Sequence, residues 1–252
     1  MEVSVFDMPR YVQNSFNVVF PRHATIRRLA NDFEDRLKGH YLQPQIIGVP
    51  DELDPEVPRL IFGSVHGFSQ IVVSQVGIVL NVSYSPDYQG DSHKGKNYLA
   101  ERIAILFDLI TLLGEKSPYF CGLSTKVQLP CTGGDEEVLA HLAKLLLKNE
   151  STTGVHDLNV KTTNVVDNRF FSNVSVANYR TWNIASDVQG VMSLSDKDAI
   201  AHGIEITADF NDRYSYNQDK SYRSSLDQAK IVMEYGFAQV ERTVETIGGA
   251  PS

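Results

Sequence analysis

The stretch HGIEITADFNDRY (residues 202–214) decides the fold class, because its side chains alternate strictly in character. The even-numbered positions from Ile204 to Phe210 are apolar, whereas the odd-numbered positions between them carry Glu205, Thr207 and Asp209. Successive side chains of a β-strand point to opposite faces, so this strand buries one face and leaves the other in water. That division is typical of an antiparallel sheet with helices on one side. The stretch therefore predicts an α+β protein.

Outward from this strand, the same order of elements is found twice along the chain. The N-terminal half has a strand, an amphipathic helix, a meander and a long helix, in residues 14–21, 24–41, 58–85 and 97–113. The C-terminal half repeats the order in residues 119–130, 134–149, 155–214 and 222–247. Connections as short as Asp167-Asn168 favour antiparallel hairpins. We predict an antiparallel sheet with long helices packed on one face, in two similarly ordered strand–helix–meander–helix halves. The halves are residues 1–116 and 117–252, which can also form one continuous domain.

This order is similar to the saddle of TATA-binding proteins and to helix-grip ligand-binding folds, although topology alone does not carry function. Three stretches add a second likeness, namely FNVVFP (16–21), PRLIFGS (58–64) and GIEITADFN (203–211). With these stretches the chain resembles a sporadically distributed, uncharacterised bacterial protein family of about this length. The resemblance implies a bacterial, cytosolic α+β protein. It implies no assigned activity and no catalytic residues.

Composition and charge exclude several classes of protein. The net charge of −8 disfavours duplex DNA as a partner, because neutralised phosphates supply most of the affinity of DNA-binding proteins. No apolar run approaches the roughly 20 residues of a membrane-spanning helix. The first residues also lack the basic and apolar regions of a signal peptide. We therefore expect a cytoplasmic protein without membrane contact.

The cysteines and histidines suggest neither a disulfide nor a metal site. Cys121 and Cys131 are ten residues apart within one predicted strand, which is too far for a disulfide. The histidines show no spacing typical of metal ligands, and no dense group of cysteine and histidine occurs. The sequence predicts no metal and no cofactor.

The segment GDSHKGK (residues 90–96) has the G-x-x-x-x-G-K spacing of a nucleotide-binding P-loop, in Gly90, Gly95 and Lys96. Asn97 stands where the metal-binding Ser or Thr of a P-loop is expected. The preceding strand also belongs to an antiparallel meander rather than to a parallel sheet. We interpret the segment as an exposed loop before a helix that begins near residue 97. Lys96 and the two glycines are kept as candidates for anion binding.

A second candidate is the segment FNDRYSYNQDKSYRSS (residues 210–225), in which aromatic and basic residues alternate. Such mixtures can stack bases and hold phosphates, but they also occur in ordinary loops between a strand and a helix. The loop interpretation is favoured because the protein is acidic. The candidate residues for a partner or nucleic acid are Arg213, Tyr214, Tyr216, Lys220, Tyr222 and Arg223.

A third candidate is the pair Arg180 and Trp182, which alternate onto one face of the strand in residues 177–184. On an exposed face this pair would be a plausible centre of a protein interface. Packing of Trp182 in the core is the equally weighted alternative.

These observations predict a binding or regulatory protein without catalytic activity, which acts through contacts with another protein and forms a homo-oligomer. Two alternatives stay open. One is a small-ligand pocket between the sheet and the C-terminal helix, as in helix-grip folds. The other is nucleic-acid binding on a saddle-like sheet, which the acidic charge disfavours.

Overall fold

The computed structural model describes residues 6–114, 117–148, 151–183 and 195–248. Within these ranges, one antiparallel sheet of nine strands forms the centre of the protein. The strands are β1 (Arg10–Val19), β2 (Gln45–Ile46), β3 (Leu60–Gly63), β4 (Ser69–Val73), β5 (Gly77–Ser83), β6 (Phe120–Cys131), β7 (Asn159–Val166), β8 (Phe170–Trp182) and β9 (Ala199–Asn211). Across the sheet their order is β2-β3-β4-β5-β1-β6-β9-β8-β7. The predicted α+β class with an antiparallel sheet is confirmed.

Six α-helices accompany the sheet in the described residues. They are α1 (Ala30–Leu37), α2 (Pro86–Gln89), α3 (Ser92–Thr111), α4 (Asp135–Leu142), α5 (Arg213–Gln218) and α6 (Leu226–Gly248). The predicted helix at 134–149 is interrupted, because a π-helical turn over Ala143–Leu147 follows α4 and ends at Lys148 with a φ of 53°. Within the described residues, no helix is both long and apolar enough to cross a lipid bilayer.

The alternation in β9 buries one face of the strand, as the sequence predicts. Its even-numbered side chains from Ile204 to Phe210 are at most 2% exposed, and the odd-numbered ones between them are half-buried. β9 pairs with β6 on one side and with β8 on the other, so it lies inside the sheet. The buried side chains of all the longer strands inside the sheet join those of the helices in one hydrophobic core.

The hairpin between β7 and β8 turns at Asp167 and Asn168, where the sequence predicts it. Both residues have positive φ angles, 51° and 52°, as the two central residues of a type I′ turn do, and the Arg169 amide closes the turn by donating to the Val166 carbonyl at 3.0 Å. Asp and Asn adopt this conformation more readily than other non-glycine residues. The turn pairs β7 with β8, and β7 is the last strand on this side of the sheet.

The long helices pack against the buried side of the sheet. α6 crosses β6 and β9 at Gly236, where an added Cβ would lie 3.1 Å from Leu123 Cδ2. Beside it, the rings of Phe237 and Tyr11 stack with 6.4 Å between their centroids. α1 packs through Phe33 on Phe62 of β3. The face opposite these contacts is named the open face below.

β1 and β6 are neighbours at the centre of the sheet, and their register runs from Arg10 opposite Gln128 to Val19 opposite Phe120. This pairing joins the two predicted halves of the chain. The predicted boundary at residue 116 lies outside the described residues. The division into domains stays a prediction.

Candidate binding face of the sheet

The open face carries mainly uncharged polar side chains. At its centre β1, β5, β6 and β9 contribute half-buried or exposed amides and hydroxyls, namely Ser15, Asn17, Asn81, Ser124, Thr207 and Asn211. Each alternates along its strand with residues that face the core, so the strand period of two places it on the opposite side. The face is therefore rich in hydrogen-bond donors and acceptors and poor in net charge.

Hydrogen bonds within and between the strands order part of this face. The amides of Asn173 and Asn211 both donate to Asp209 Oδ2, at 2.7 and 3.0 Å. Thr163 Oγ1 in turn donates to Asn173 Oδ1 at 2.7 Å. Burial raises the pKa of the Asp209 carboxyl above its ordinary value, and the two amide hydrogen bonds oppose part of that rise. The network holds a desolvated carboxylate on the face.

A second group of side chains on the open face contains an ion pair and has no net charge. Lys126 Nζ lies 2.9 Å from Glu205 Oε1, and Gln128 Nε2 donates to Glu205 Oε2 at 3.2 Å. On the other side of β1, Ser15 Oγ donates to Asn81 Oδ1 at 2.9 Å. Such pre-ordered neutral groups suit a polar interface more than an electrostatic one.

At one end of the face, where β9 leaves the sheet, cations and aromatic rings form a cluster. We define the cation–aromatic cluster as Arg213, Lys220 and Arg223 together with Tyr119, Phe120 and Tyr216. Each cation lies over one ring: Arg213 Cζ is 5.4 Å from the centroid of Phe120, Lys220 Nζ is 4.2 Å from that of Tyr216, and Arg223 Cζ is 5.1 Å from that of Tyr119. The sequence predicted four of these residues as candidates, and the structure brings them together with two further rings.

The aromatic rings of the cluster pack against one another. Tyr216 stacks on Tyr119 at 4.9 Å and is tilted against Phe120 at 5.7 Å. Because each ring also carries a cation, stacking of a nucleic-acid base would require some of these contacts to open. Among the described carboxylates, none forms an ion pair with the three cations within 4.0 Å. The cluster therefore holds three cations without a direct counter-ion, although the charge of the exposed Asp219 lies near enough to interact with Arg223.

The segment 210–225 is not the plain loop that the sequence favoured, since Arg213–Gln218 forms the helix α5. α5 contacts β6 and β8, and Tyr214 packs edge-on against Phe171 at 5.2 Å. Phe120 and Phe171 alternate with core residues, so α5 covers the end of the open face. The helices α1, α3 and α6 lie on the other side.

Tyr222, another predicted candidate, anchors this segment. Its hydroxyl donates to Asp212 Oδ2 at 2.8 Å, and the fully buried Asp212 also accepts from the Cys121 amide at 2.7 Å. Burial and the nearby Asp212 charge raise the pKa of Tyr222. The hydroxyl is thus committed within the fold and is not available to a ligand.

Arg180 does not lie on an exposed face, as one of the two alternatives for the Arg180–Trp182 pair required. Its side chain is only 5% exposed and lies 2.6 Å from Asp135 at the first turn of α4, with Asp157 at 2.8 Å and Asp196 at 3.6 Å. The reason is that residue 180 belongs to the side of β8 that faces α4. Trp182 is half-buried beyond a register shift, and its Nε1 donates to the Ser195 carbonyl at 2.8 Å. Ile184, the last residue of the predicted strand, lies outside the described residues.

The segment with P-loop spacing is mostly helix. α3 begins at Ser92 rather than at 97, because the Asp91 carboxylate caps it and accepts from the Lys94 amide at 3.1 Å. Gly90 ends the short helix α2. Gly95 is buried against the ring of Tyr84, whose hydroxyl donates to the Gly95 carbonyl at 3.0 Å.

Lys96 is committed to an ion pair with Glu234 of α6. The N-terminus of α3 is thus already capped by the Asp91 carboxylate, and Lys96 already has Glu234 as its counter-ion. No backbone loop remains between the two glycines that could surround a phosphate.

Sequence reasoning missed Tyr119, Phe120 and the central amides of the open face. The only signal for the open face was the polar half of the alternation in 203–211. Tyr119 and Phe120 lie more than 90 residues before α5, and nothing local relates them to it. Within the described residues, no group of three histidine, cysteine, aspartate or glutamate side chains is arranged to hold a metal ion.

Comparison with known proteins does not extend the assignment. No protein-family model matches the chain, and a search of curated protein sequences finds no significant match.

Proposed function

We propose that this protein is a binding or regulatory protein without catalytic activity, which holds another protein on the open face and is itself a homo-oligomer. One observation carries the proposal: a wide sheet has a face of ordered amides and hydroxyls that α5 reaches only at one end. The bacterial origin and cytoplasmic location expected from the sequence remain part of the proposal.

The chemistry of the face supports a protein partner. Interfaces between proteins that also exist apart are as polar as ordinary surface and carry about one hydrogen bond per 100–200 Å². The pre-ordered side chains of Ser15, Asn81 and Asn211 provide such donors and acceptors without a large cost of side-chain ordering. The cation–aromatic cluster would orient an acidic region of the partner and speed its association.

A second candidate function is binding of single-stranded nucleic acid on the same face. The strand order favours it, because β5-β4-β3 follow β1 outward just as β9-β8-β7 follow β6. We propose that the two halves are related by an approximate twofold axis in the manner of the TATA-binding saddle. The occupied rings of the cluster and the net charge of −8 place this function second.

The third possibility, a helix-grip pocket beneath α6, has less support. α6 lies directly on the sheet at Gly236, and Tyr235 stacks on Phe210 with 5.5 Å between centroids. A cavity of about 640 Å³ lies elsewhere, lined by residues 7–10, Pro86, Gln89 and Gly90. We therefore do not favour a ligand between helix and sheet.

The experiment that tests the protein-binding proposal uses a photo-crosslinking amino acid at Asn17, in the centre of the open face. A matched variant carries it at Glu101, which is exposed on α3. We expect a discrete cross-linked protein from Asn17 and none from Glu101. With the purified partner, the combined change Arg213→Gln, Lys220→Gln and Arg223→Gln should weaken binding about tenfold or more at low salt.

Equal cross-linking from both positions would overturn the proposal. A filter-binding assay with single-stranded RNA and DNA at low salt separates the two candidates. Retention at micromolar protein, lost in the triple variant, would put the nucleic-acid function in first place.

A further inference from the structure

The two edges of the sheet differ greatly. β2 ends one side with only two residues, Gln45–Ile46, whereas β7 ends the other side with eight, Asn159–Val166. β7 pairs along its whole length with β8 on its inner side. In an antiparallel sheet the remaining backbone amides and carbonyls of such a strand point outward. Long edges of this kind readily add another strand.

Six of the eight residues of β7 are also exposed, whereas Val160 and Val166 on the helix side are half-buried. On the open face Thr163 and Val165 are exposed, and Val165 remains 45% accessible. On the helix side Thr162 and Asn164 are exposed as well, so no described helix covers this strand. Apart from Val166, which packs against the core, β7 therefore lies at the margin of the sheet as a β-rich segment that contains no proline and no acidic residue.

We propose that β7 pairs antiparallel with β7 of a second copy about a twofold axis, which joins the two sheets into one. The proposal rests on the proposed homo-oligomer and names its interface. If the twofold axis is perpendicular to the sheet, two residues that lie opposite each other across the interface must be on the same face of the sheet. The pairing then has one central residue, which lies opposite the same residue of the second copy. If Thr163 is this central residue, Val160 of one copy lies opposite Val166 of the other, and Lys161 lies opposite Val165.

Two registers pair seven of the eight residues of β7, with either Thr162 or Thr163 on the axis, and charge selects between them. With Thr162 on the axis, the two Lys161 side chains would be diagonal neighbours about 7–8 Å apart. With Thr163 on the axis they are four positions apart, about 14 Å at 3.4 Å per residue, which exceeds the Debye length at physiological salt. The register also brings apolar residues together at both ends of the pairing.

The assembly closes at two copies. A twofold pairing uses the same edge of each copy, so no second β7 remains free. The opposite edge has only the two residues of β2, which give too short a pairing for further growth.

Disulfide trapping tests the register. Two Thr163→Cys residues on the axis would have Cα atoms about 4.5–5.5 Å apart, which suits a disulfide. Val165→Cys is the matched control, since it lies on the same strand and face but four positions from its mate. Both are made with Cys131→Ser, which leaves only the buried Cys121 as a native thiol. We expect a covalent dimer, reversible by reductant, from Thr163→Cys alone.

Light scattering of the unmodified chain at tens of micromolar should give a dimer. Thr162→Pro and Thr163→Pro remove amides that point to opposite sides of β7, so one of the two should abolish the dimer with an unchanged circular dichroism spectrum. A strict monomer would overturn both the interface and the homo-oligomer. A dimer that fails to form the Thr163→Cys disulfide, or links equally through Val165→Cys, would overturn the β7 interface alone. Partner cross-linking at Asn17 is independent of either result.

Discussion

At the scale of the residue, Asp209 is the most informative side chain of the open face. It is a carboxylate among amides, and burial raises its pKa above the ordinary value of 3.8. The folded protein therefore binds this proton more tightly than the unfolded chain does. The stabilising contribution is fully present below the unfolded pKa and is lost as the pH rises through the folded pKa.

We predict that Asp209→Asn changes how stability depends on pH. Asparagine has no charge to desolvate, so the variant should gain free energy of unfolding relative to the wild type as the pH rises above about 4. Urea unfolding at intervals between pH 3.5 and pH 7 measures the difference.

The matched control is Asp227→Asn, whose carboxylate is 91% exposed near Lys230. It should show no such gain with rising pH. A difference between Asp209→Asn and wild type that is constant across this range would contradict the prediction.

At the scale of the element, the fold depends on a close approach between β6 and β9. A Cβ on Gly203 would lie 2.2 Å from the Leu129 carbonyl oxygen and 2.7 Å from Tyr179 Cε1. The backbone atom cannot move aside without breaking the pairing of Gly203 with Pro130. Glycine is required here by space, since no other residue lacks a Cβ.

We predict that Gly203→Ala lowers the free energy of unfolding by about 2 kcal/mol or more, as overpacking against rigid backbone does. Gly63 in β3 is the matched control, because nothing lies within 4 Å of its Cβ position. Gly63→Ala should change stability by less than about 1 kcal/mol, in either direction. Denaturant unfolding compares the two variants. Equal losses would show that the close approach is not the cause.

At the scale of the whole molecule, the central pairing of β1 with β6 makes the two predicted halves depend on each other. Each of these strands would become an edge if the other half were removed. The buried residues of both halves also belong to one core cluster. Burial of apolar surface is then shared across the central strands rather than confined to either half.

We predict that the chain unfolds in a single cooperative transition. Fluorescence of Trp182, in the C-terminal half, and circular dichroism at 222 nm, which reports helices of both halves, should give the same urea midpoint. Two separate midpoints would contradict this and would favour independent domains. As a control, residues 1–116 expressed alone should lack cooperative unfolding.

Local chemistry explains which features could be predicted. The turn at Asp167-Asn168 depends on two neighbouring residues, so the sequence is sufficient to place it. The start of α3 was predicted five residues late, since the helix already begins at Ser92 with Asp91 as its capping residue. The sequence left the exposed and the buried alternatives for the Arg180–Trp182 pair equally weighted, because Asp135 and Asp196, which pair with Arg180, are distant in sequence.

The amino-acid sequence by itself determined the α+β class, the order of the longer elements, the alternation of β9 and the residues of the cation-rich segment after it. These follow from periodicity and turn chemistry within short windows. Only the tertiary structure decided that β1 pairs with β6, that Tyr119 and Phe120 lie beneath the cations, and that Arg180 is buried. The physical reason is that strand pairing and burial depend on contacts between residues far apart in the chain, whereas period and turn preference act between neighbours.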